Sequence, residues 1–175
     1  DAYAYGAAYV VFGSTSAGSP VSLGSLGGTA GFRLTGTDNA EAGFSVSNAG
    51  DVNGDGIADL VVGARLDDGA ASNAGAAYVV FGTSGGFAAS TNLDTLAAGG
   101  GGFKISGEAS NDFAGFSVAG AGDVNGDGMD DLLIGAYGND AAGNFAGAAY
   151  VVFGVEGGSS DVNLTDIATG IGGFR

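Results

Sequence analysis

Two short stretches of the sequence group oxygen-bearing side chains at a spacing that suits a bound metal ion. The stretch Asp51–Asp59 returns almost unchanged, 72 residues later, as Asp123–Asp131. In both stretches Asp or Asn occupies positions 1, 3, 5 and 9, and glycine occupies positions 4 and 6. Such a loop can wrap its oxygens around one hard cation. Ca²⁺ is the best candidate, because Mg²⁺ prefers fewer protein ligands and more water.

Each loop offers five ligands, namely four side chains and the backbone carbonyl at position 7. The ten predicted ligands are Asp51, Asn53, Asp55, Ile57 and Asp59 in the first loop and Asp123, Asn125, Asp127, Met129 and Asp131 in the second. Three carboxylates repel one another when no cation lies between them, so we expect folding and calcium binding to be coupled. Ordinary Asp/Asn/Gly turns are the alternative interpretation, and two copies in register weaken it.

The residues after the loops argue against an EF-hand. That motif needs a glutamate at position 12 and a helix on either side. Position 12 is Val62 in one copy and Ile134 in the other, and both lie in β-type runs. The sequence therefore predicts the same ligand chemistry in a β-hairpin loop.

The composition supports cation binding and argues against several other functions. The chain has 19 acidic and 4 basic residues, for a net charge of −15, which disfavours nucleic acid and anionic membranes as partners. It has no cysteine and no histidine, which removes disulfides, thiolate or imidazole metal sites, and Ser–His or Cys–His catalysis. We therefore predict no catalytic residues and a non-enzymatic function. No apolar stretch reaches the ~18 residues of a membrane span, and no signal peptide is visible in a sequence that starts inside a repeat.

Three sequence anchors recur with a period near 70 residues. They are Gly-Ala-Ala-Tyr-Val-Val-Phe-Gly at 6–13, 75–82 and 147–154, Gly-Phe-Ser-Val at 43–46 and 115–118, and Gly-Phe-Arg or Gly-Phe-Lys at 31–33, 102–104 and 173–175. The 38 glycines bracket short apolar runs, as turns do in an all-β protein. The period fits one four-stranded sheet with its loops.

One full period predicts four strands, A to D. They span Phe44–Ala49, Asp59–Ala64, Ala76–Phe81 and Phe103–Ser106, and the next period repeats them from Phe116 to beyond Phe174. The first residues supply only C (Ala7–Phe12) and D (Phe32–Leu34). The longer C–D connections at 14–30, 83–101 and 155–172 are predicted to be ordered loops, each with one helical turn that buries two apolar side chains.

Other repeated side chains are given structural roles. Tyr9, Tyr78 and Tyr150 lie inside apolar strands, where we expect them to pack. The polar stretches 65–68 and 137–140 follow strand B in both repeats, and we predict solvated loops there rather than a binding rim.

The combined pattern resembles the FG-GAP repeat of integrin alpha-chain β-propellers. The resemblance rests on Gly43-Phe44-Ser45-Val46, the loop, and Leu60-Val61-Val62-Gly63-Ala64, and on the second copy at 115–118, 123–131 and 132–136. The family's closing Gly-Ala-Pro is Gly-Ala-Arg and Gly-Ala-Tyr in this chain. The resemblance implies four-stranded antiparallel propeller blades with calcium held between strands A and B.

On this basis the chain is predicted to hold about two and a half blades. Residues 1–41 form a half blade, 42–107 a full blade, and 108–175 a second full blade that is clipped in its last strand. Because a ring needs four to eight blades, we expect either a piece of a larger propeller or completion by other copies through open strand edges.

The predicted function is a calcium-binding structural or adhesive repeat module, extracellular or on the cell surface, that can self-associate. Weak all-oxygen loops fill where Ca²⁺ is near millimolar, outside the cell. An extracellular protein or glycan is a further expected partner. Two alternatives stay open: the propeller part of a secreted enzyme whose catalytic cluster lies outside these residues, and a carbohydrate-binding propeller that uses Tyr137 with Asp140.

Overall fold

The chain folds into strands joined by turns and by longer C–D connections, as predicted. The structure is a computed structural model and describes residues 6–14, 20–37 and 39–175. The strands are β1 Ala7–Val11, β2 Gly31–Thr35, β3 Ala42–Gly50, β4 Asp59–Ala64, β5 Ala76–Val80, β6 Ser90–Asn92, β7 Gly102–Ser106, β8 Ala114–Gly122, β9 Asp131–Ala136, β10 Ala148–Val152, β11 Val162–Asn163 and β12 Gly173–Phe174. The helices are α1 Leu93–Ala98 and α2 Leu164–Ala168, with one 3-10 turn at Leu23–Ser25. Parts of the predicted half blade and of the connection 14–30 lie outside the described residues.

The strands form three sheets, and the all-β fold class is confirmed. The first sheet has the order β1-β2-β6, the middle sheet β11-β7-β5-β4-β3, and the last sheet β12-β10-β9-β8. In the middle sheet β3, β4, β5 and β7 pair antiparallel in chain order, which is the predicted A-B-C-D meander. Both A–B pairs carry register shifts near their ends.

Two short strands join neighbouring sheets in a way that the sequence analysis missed. The C–D connections were predicted to be loops with a helical turn, and α1 and α2 supply that turn. Before each helix, however, β6 pairs parallel with β2 of the first sheet, and β11 pairs parallel with β7 of the middle sheet. Both strands cover the outer edge of the preceding sheet, whose unpaired backbone groups need hydrogen-bond partners. They are only two or three residues long, so they carry no hydrophobic alternation to detect.

The three sheets pack face to face around two apolar cores. Strand β5 is buried along its whole length. Its side chains alternate between the two faces, as strand geometry requires. Tyr78 and Val80 lie in the core shared with the first sheet, whereas Ala77 and Val79 lie in the core shared with the last sheet. The continuous apolar run of strand C therefore reflects a strand that is covered on both sides.

A phenylalanine pair recurs in every sheet and explains two of the sequence anchors. The phenylalanine that follows strand C contacts the phenylalanine of strand D, with ring centroids 5.9 to 6.1 Å apart. The three pairs are Phe12–Phe32, Phe81–Phe103 and Phe153–Phe174. Aromatic pairs at this spacing add about 0.5–1.5 kcal/mol beyond burial of their area. Among the described residues, no helix is long and apolar enough to cross a membrane.

Adjacent leucines of β9 test the two-core packing. Leu132 is 1% exposed in the core against the middle sheet, and Leu133, on the opposite face, is 40% exposed. We expect Leu132→Ala to lower the free energy of unfolding by about 2–5 kcal/mol, because it leaves a cavity. Leu133→Ala is the matched control and should cost clearly less. Urea denaturation measures both variants, and equal losses would contradict the packing described above.

Candidate metal centre

The two oxygen-rich loops occupy equivalent places in the middle and last sheets. Loop 1, residues 51–59, connects β3 to β4, and loop 2, residues 123–131, connects β8 to β9. Both strand pairs are antiparallel, so each loop closes a β-hairpin. Each loop overlaps the first residue of the strand that follows it, because Asp59 begins β4 and Asp131 begins β9.

The side chains at positions 1, 3 and 5 of loop 1 turn toward the loop backbone. The Asp51 carboxylate accepts hydrogen bonds from the N–H groups of Asp55, at 3.0 Å, and Gly56, at 2.8 Å. Asn53 Oδ1 accepts from the same Asp55 N–H at 2.9 Å, and Asp55 Oδ1 accepts from Ile57 N at 2.8 Å. Because of these contacts, the loop backbone surrounds the side-chain oxygens of the three residues.

Loop 2 repeats the arrangement almost contact for contact. The Asp123 carboxylate accepts from Asp127 N at 3.1 Å and from Gly128 N at 2.9 Å. Asn125 Oδ1 accepts from Asp127 N, and Asp127 Oδ1 accepts from Met129 N, both at 2.9 Å. The glycines at position 6 have φ values of 83° and 94°, a conformation that favours glycine over any residue with a side chain.

The aspartate at position 9 has a structural role that the sequence analysis missed. Asp59 is fully buried; its Oδ2 accepts from Val52 N at 2.9 Å and its Oδ1 from Gly82 N at 2.8 Å. Asp131 does the same with Val124 and Gly154. This carboxylate therefore ties the start of each loop to the glycine that ends the strand C anchor. The final glycine, which is present in all three copies of that anchor, was the sequence signal for this contact.

The pKa of the Asp59 carboxyl is raised from its ordinary value, mainly by burial, and the neighbouring loop acids contribute to the shift. Burial raises the pKa of the Asp59 carboxyl, the N–H groups of Gly82 and Val52 lower it, and the charges of Asp55 and Asp51 raise it again. Neighbouring negative charges disfavour each other's ionisation, and a bound cation would reduce this repulsion.

The donor set is suited to a hard cation. Within the described residues, no three His, Cys, Asp or Glu side chains are grouped in a way that could hold a metal. The three carboxylates of each predicted set are therefore not brought together as a metal-binding group in this structure. The other two predicted ligands are an asparagine amide and a backbone carbonyl. An ionised carboxylate has about four acceptor sites, so it can accept loop N–H groups and still contact a cation. All five donors are oxygens, which fits Ca²⁺ chemistry.

The loop acids also lack a protein cation in the described part of the chain. The ion pairs there join Arg65 to Glu41, Lys104 to Asp67 and Asp94, and Arg175 to Glu108. All of them lie outside both loops. The negative charge of the loops is therefore not balanced by lysine or arginine among these residues.

A second polar cluster surrounds the buried tyrosine of strand C. The Tyr78 hydroxyl lies 2.7 Å from Asp94 Oδ1 and 3.0 Å from Asp67 Oδ2, and Lys104 Nζ lies 2.9 Å from Asp67 Oδ2. Burial, followed by the charge of Asp67 and the hydrogen bond to Asp94, raises the pKa of Tyr78 far above its ordinary value. A buried phenol needs such partners.

The last sheet builds the equivalent cluster from different residues. The Tyr150 hydroxyl donates to Glu108 and accepts from Asn139 Nδ2, while Arg175 contacts the same glutamate at 3.3 Å. Burial and the hydrogen bond to Glu108 raise the pKa of Tyr150. The prediction that the stretches after strand B are solvated is wrong for Asp67 and Asn139, which are buried. They are buried because they supply partners around the tyrosine hydroxyls.

The residues of the carbohydrate-binding alternative lie on the surface. Tyr137 is about half exposed, and its ring stacks on Phe113 at 5.1 Å and contacts Phe116 at 4.6 Å. Asp140 is exposed and accepts the N–H of Phe145. The structure thus gives both side chains protein contacts of their own.

Comparison with protein-family models matches the FG-GAP repeat twice, at residues 42–80 and 114–152. Each match begins with strand A and ends with strand C, so each includes one whole loop. The resemblance identified from the sequence is confirmed. A search of curated proteins finds no match to the chain.

Removal of one buried hydroxyl tests the tyrosine cluster. We expect Tyr78→Phe to lower the free energy of unfolding by about 1–3 kcal/mol, because it leaves buried acceptors without their donor. Tyr9→Phe, at the equivalent and exposed position, is the matched control and should have little effect.

The pH dependence of the same variants gives a second measurement. The pKa of Tyr78 is raised on folding, so the neutral phenol stabilises the fold fully below about pH 10, its unfolded value. That contribution is lost progressively as the pH rises further. Wild type should therefore lose stability more steeply above about pH 10 than Tyr78→Phe, as measured by urea denaturation at each pH. Parallel curves would contradict the assigned role.

Proposed function

Because the chain carries two FG-GAP repeats, we propose that it is a calcium-stabilised repeat module with a structural or adhesive role and no catalytic one. FG-GAP repeats form β-propeller blades and are typical of extracellular and surface proteins. One observation carries the calcium part of the proposal. The same five oxygen donors recur at the same A–B hairpin of both repeats, with no lysine or arginine paired to them in the described residues.

Calcium would stabilise the fold because each loop is hydrogen-bonded to the end of a strand. Asp51, Asn53 and Asp55, with the carbonyl of Ile57 and the carboxylate of Asp59, would hold the ion in loop 1. The residues 72 positions later would hold it in loop 2. Each ion would offset repulsion among three carboxylates. Asp59 and Asp131 also accept hydrogen bonds from the glycines at the end of strand C. A loop ordered by calcium would therefore hold that end of the strand in place.

We also propose that the module self-associates through its two outer faces. These are the face of the first sheet that carries Tyr9 and Val11 and the face of the last sheet that carries Leu133. Tyr9 and Val11 are exposed, whereas their equivalents Tyr78 and Val80 are buried between the first and middle sheets. On the last sheet, Leu133 is exposed, whereas its equivalent Val61 is buried. The two outer faces thus have the chemistry of faces that already pack together inside the chain. Head-to-tail contact between copies generates rings or filaments.

Chelation tests the calcium proposal. When the free Ca²⁺ concentration is 100 times the Kd of a site, binding at that site adds about 2.7 kcal/mol of stability. We therefore expect excess chelator to lower the melting temperature by several degrees. Asp55→Ala and Asp127→Ala should each remove about half of this calcium-dependent shift, because each disables one loop. Asp166→Ala, which removes an exposed acid outside the loops, is the control. An identical melting curve with and without chelator would refute the calcium proposal.

Light scattering in millimolar calcium tests self-association. The average mass should rise with protein concentration, and Leu133→Lys should abolish the rise by placing a charge on an outer face. Ser84→Lys, in the connection after β5, is the matched control. Both variants lower the net negative charge equally, so a difference between them reports on the face itself. A monodisperse monomer at high concentration would count against the proposal.

A further inference from the structure

The two loops share their internal geometry but differ sharply in their surroundings. Val52 of loop 1 is 1% exposed, whereas its equivalent in loop 2, Val124, is 51% exposed. Asn53 is buried and Asn125 is exposed in the same way. Loop 1 is covered because it lies against the last sheet, which contains the second repeat.

The contact between loop 1 and the second repeat is made by backbone hydrogen bonds in sequence order. Three successive carbonyls of loop 1 each accept an N–H from the second repeat. The pairs are Asp130 N to Asp51 O at 3.0 Å, Val155 N to Val52 O at 2.9 Å, and Gly157 N to Asn53 O at 2.8 Å. These bonds hold the first three residues of the loop, two of which are predicted ligands.

The fourth contact comes from a side chain. Asp130 Oδ2 accepts the N–H of Asp51 at 2.8 Å. Together with the bond from Asp130 N to Asp51 O, it clamps both polar groups of the Asp51 backbone. Gly50, with φ of 79°, leaves space for this carboxylate, since a Cβ at that position would overlap it.

Asp130 is also a point where the two repeats differ. It stands at position 8 of loop 2, outside that loop's own ligand set, and the equivalent residue of loop 1 is Ala58. It therefore adds a negative charge and an acceptor beside loop 1 although it belongs to loop 2 in sequence.

We infer that Asp130 is a positioning residue for calcium in loop 1 and has no such effect in loop 2. It fixes the backbone of Asp51, the first ligand, before the ion arrives, and its carboxylate adds to the negative potential there. Groups that orient metal ligands by hydrogen bonds typically contribute 10- to 100-fold in metal affinity. This inference rests on the proposed calcium function, and it predicts that a substitution in one loop weakens the other.

Site-resolved calcium titration tests the inference. The amide signals of Gly56 and Gly128, followed by NMR, report on loops 1 and 2 separately, and Asp55→Ala and Asp127→Ala assign the two transitions. We expect Asp130→Ala to weaken loop 1 by about tenfold or more and to leave the affinity of loop 2 unchanged. Asp130→Asn keeps an oxygen acceptor for the Asp51 N–H and should restore part of the loss. It also serves as the test variant if Asp130→Ala does not fold.

Four outcomes would overturn the inference, and they are distinguishable. Equal weakening of both loops, or weakening of loop 2 alone, would refute the positioning role while leaving the calcium proposal intact. Unchanged loop 1 affinity combined with a lower melting temperature would make Asp130 merely structural. Absence of calcium-dependent shifts at Gly56 and Gly128 in wild type would refute the calcium proposal and this inference together.

Discussion

The middle sheet is apolar on both faces, and the rest of the described structure depends on this constraint. A sheet gains stability from apolar side chains only when they are covered. Strand β5 places Tyr78 and Val80 on one face and Ala77 and Val79 on the other, and both sets are buried. The neighbouring sheets must therefore stack against it. Stability then depends on contacts between neighbours, as it does in other repeat proteins.

The stacking is tightened by polar contacts that run between the sheets and along their edges. Strands β6 and β11 each leave their own repeat and pair with the outer strand of the preceding sheet. At the opposite edge, Asp130 and the segment 155–157 bind the backbone of loop 1. The junction of the middle and last sheets is thus held by β11 and by the contacts to loop 1 as well as through its apolar core. Such contacts satisfy backbone groups that stacking alone would leave unpaired.

The repeat made most of the fold predictable from the sequence, and contacts between repeats account for what was missed. Strands A to D and the hairpin position of both loops follow from local alternation, turn glycines and a period near 70. Strands β6 and β11 do not, because strands of two or three residues carry no pattern of their own. The burial of Asp67 also escaped prediction, since it depends on a tyrosine eleven residues away in sequence. The contact of Asp130 with Asp51 spans 79 residues and has no local signal at all.

Repulsion among the acidic side chains opposes the close packing of the sheets, and loop 1 lies at a junction where both effects act. A net charge of −15 destabilises a compact state through self-repulsion. Loop 1 concentrates three carboxylates at the junction of the middle and last sheets, and Asp130 adds a fourth. Two Ca²⁺ ions would bring four positive charges, and one of the two ions would lie at that junction. Calcium would then stabilise contact between repeats more than any single repeat.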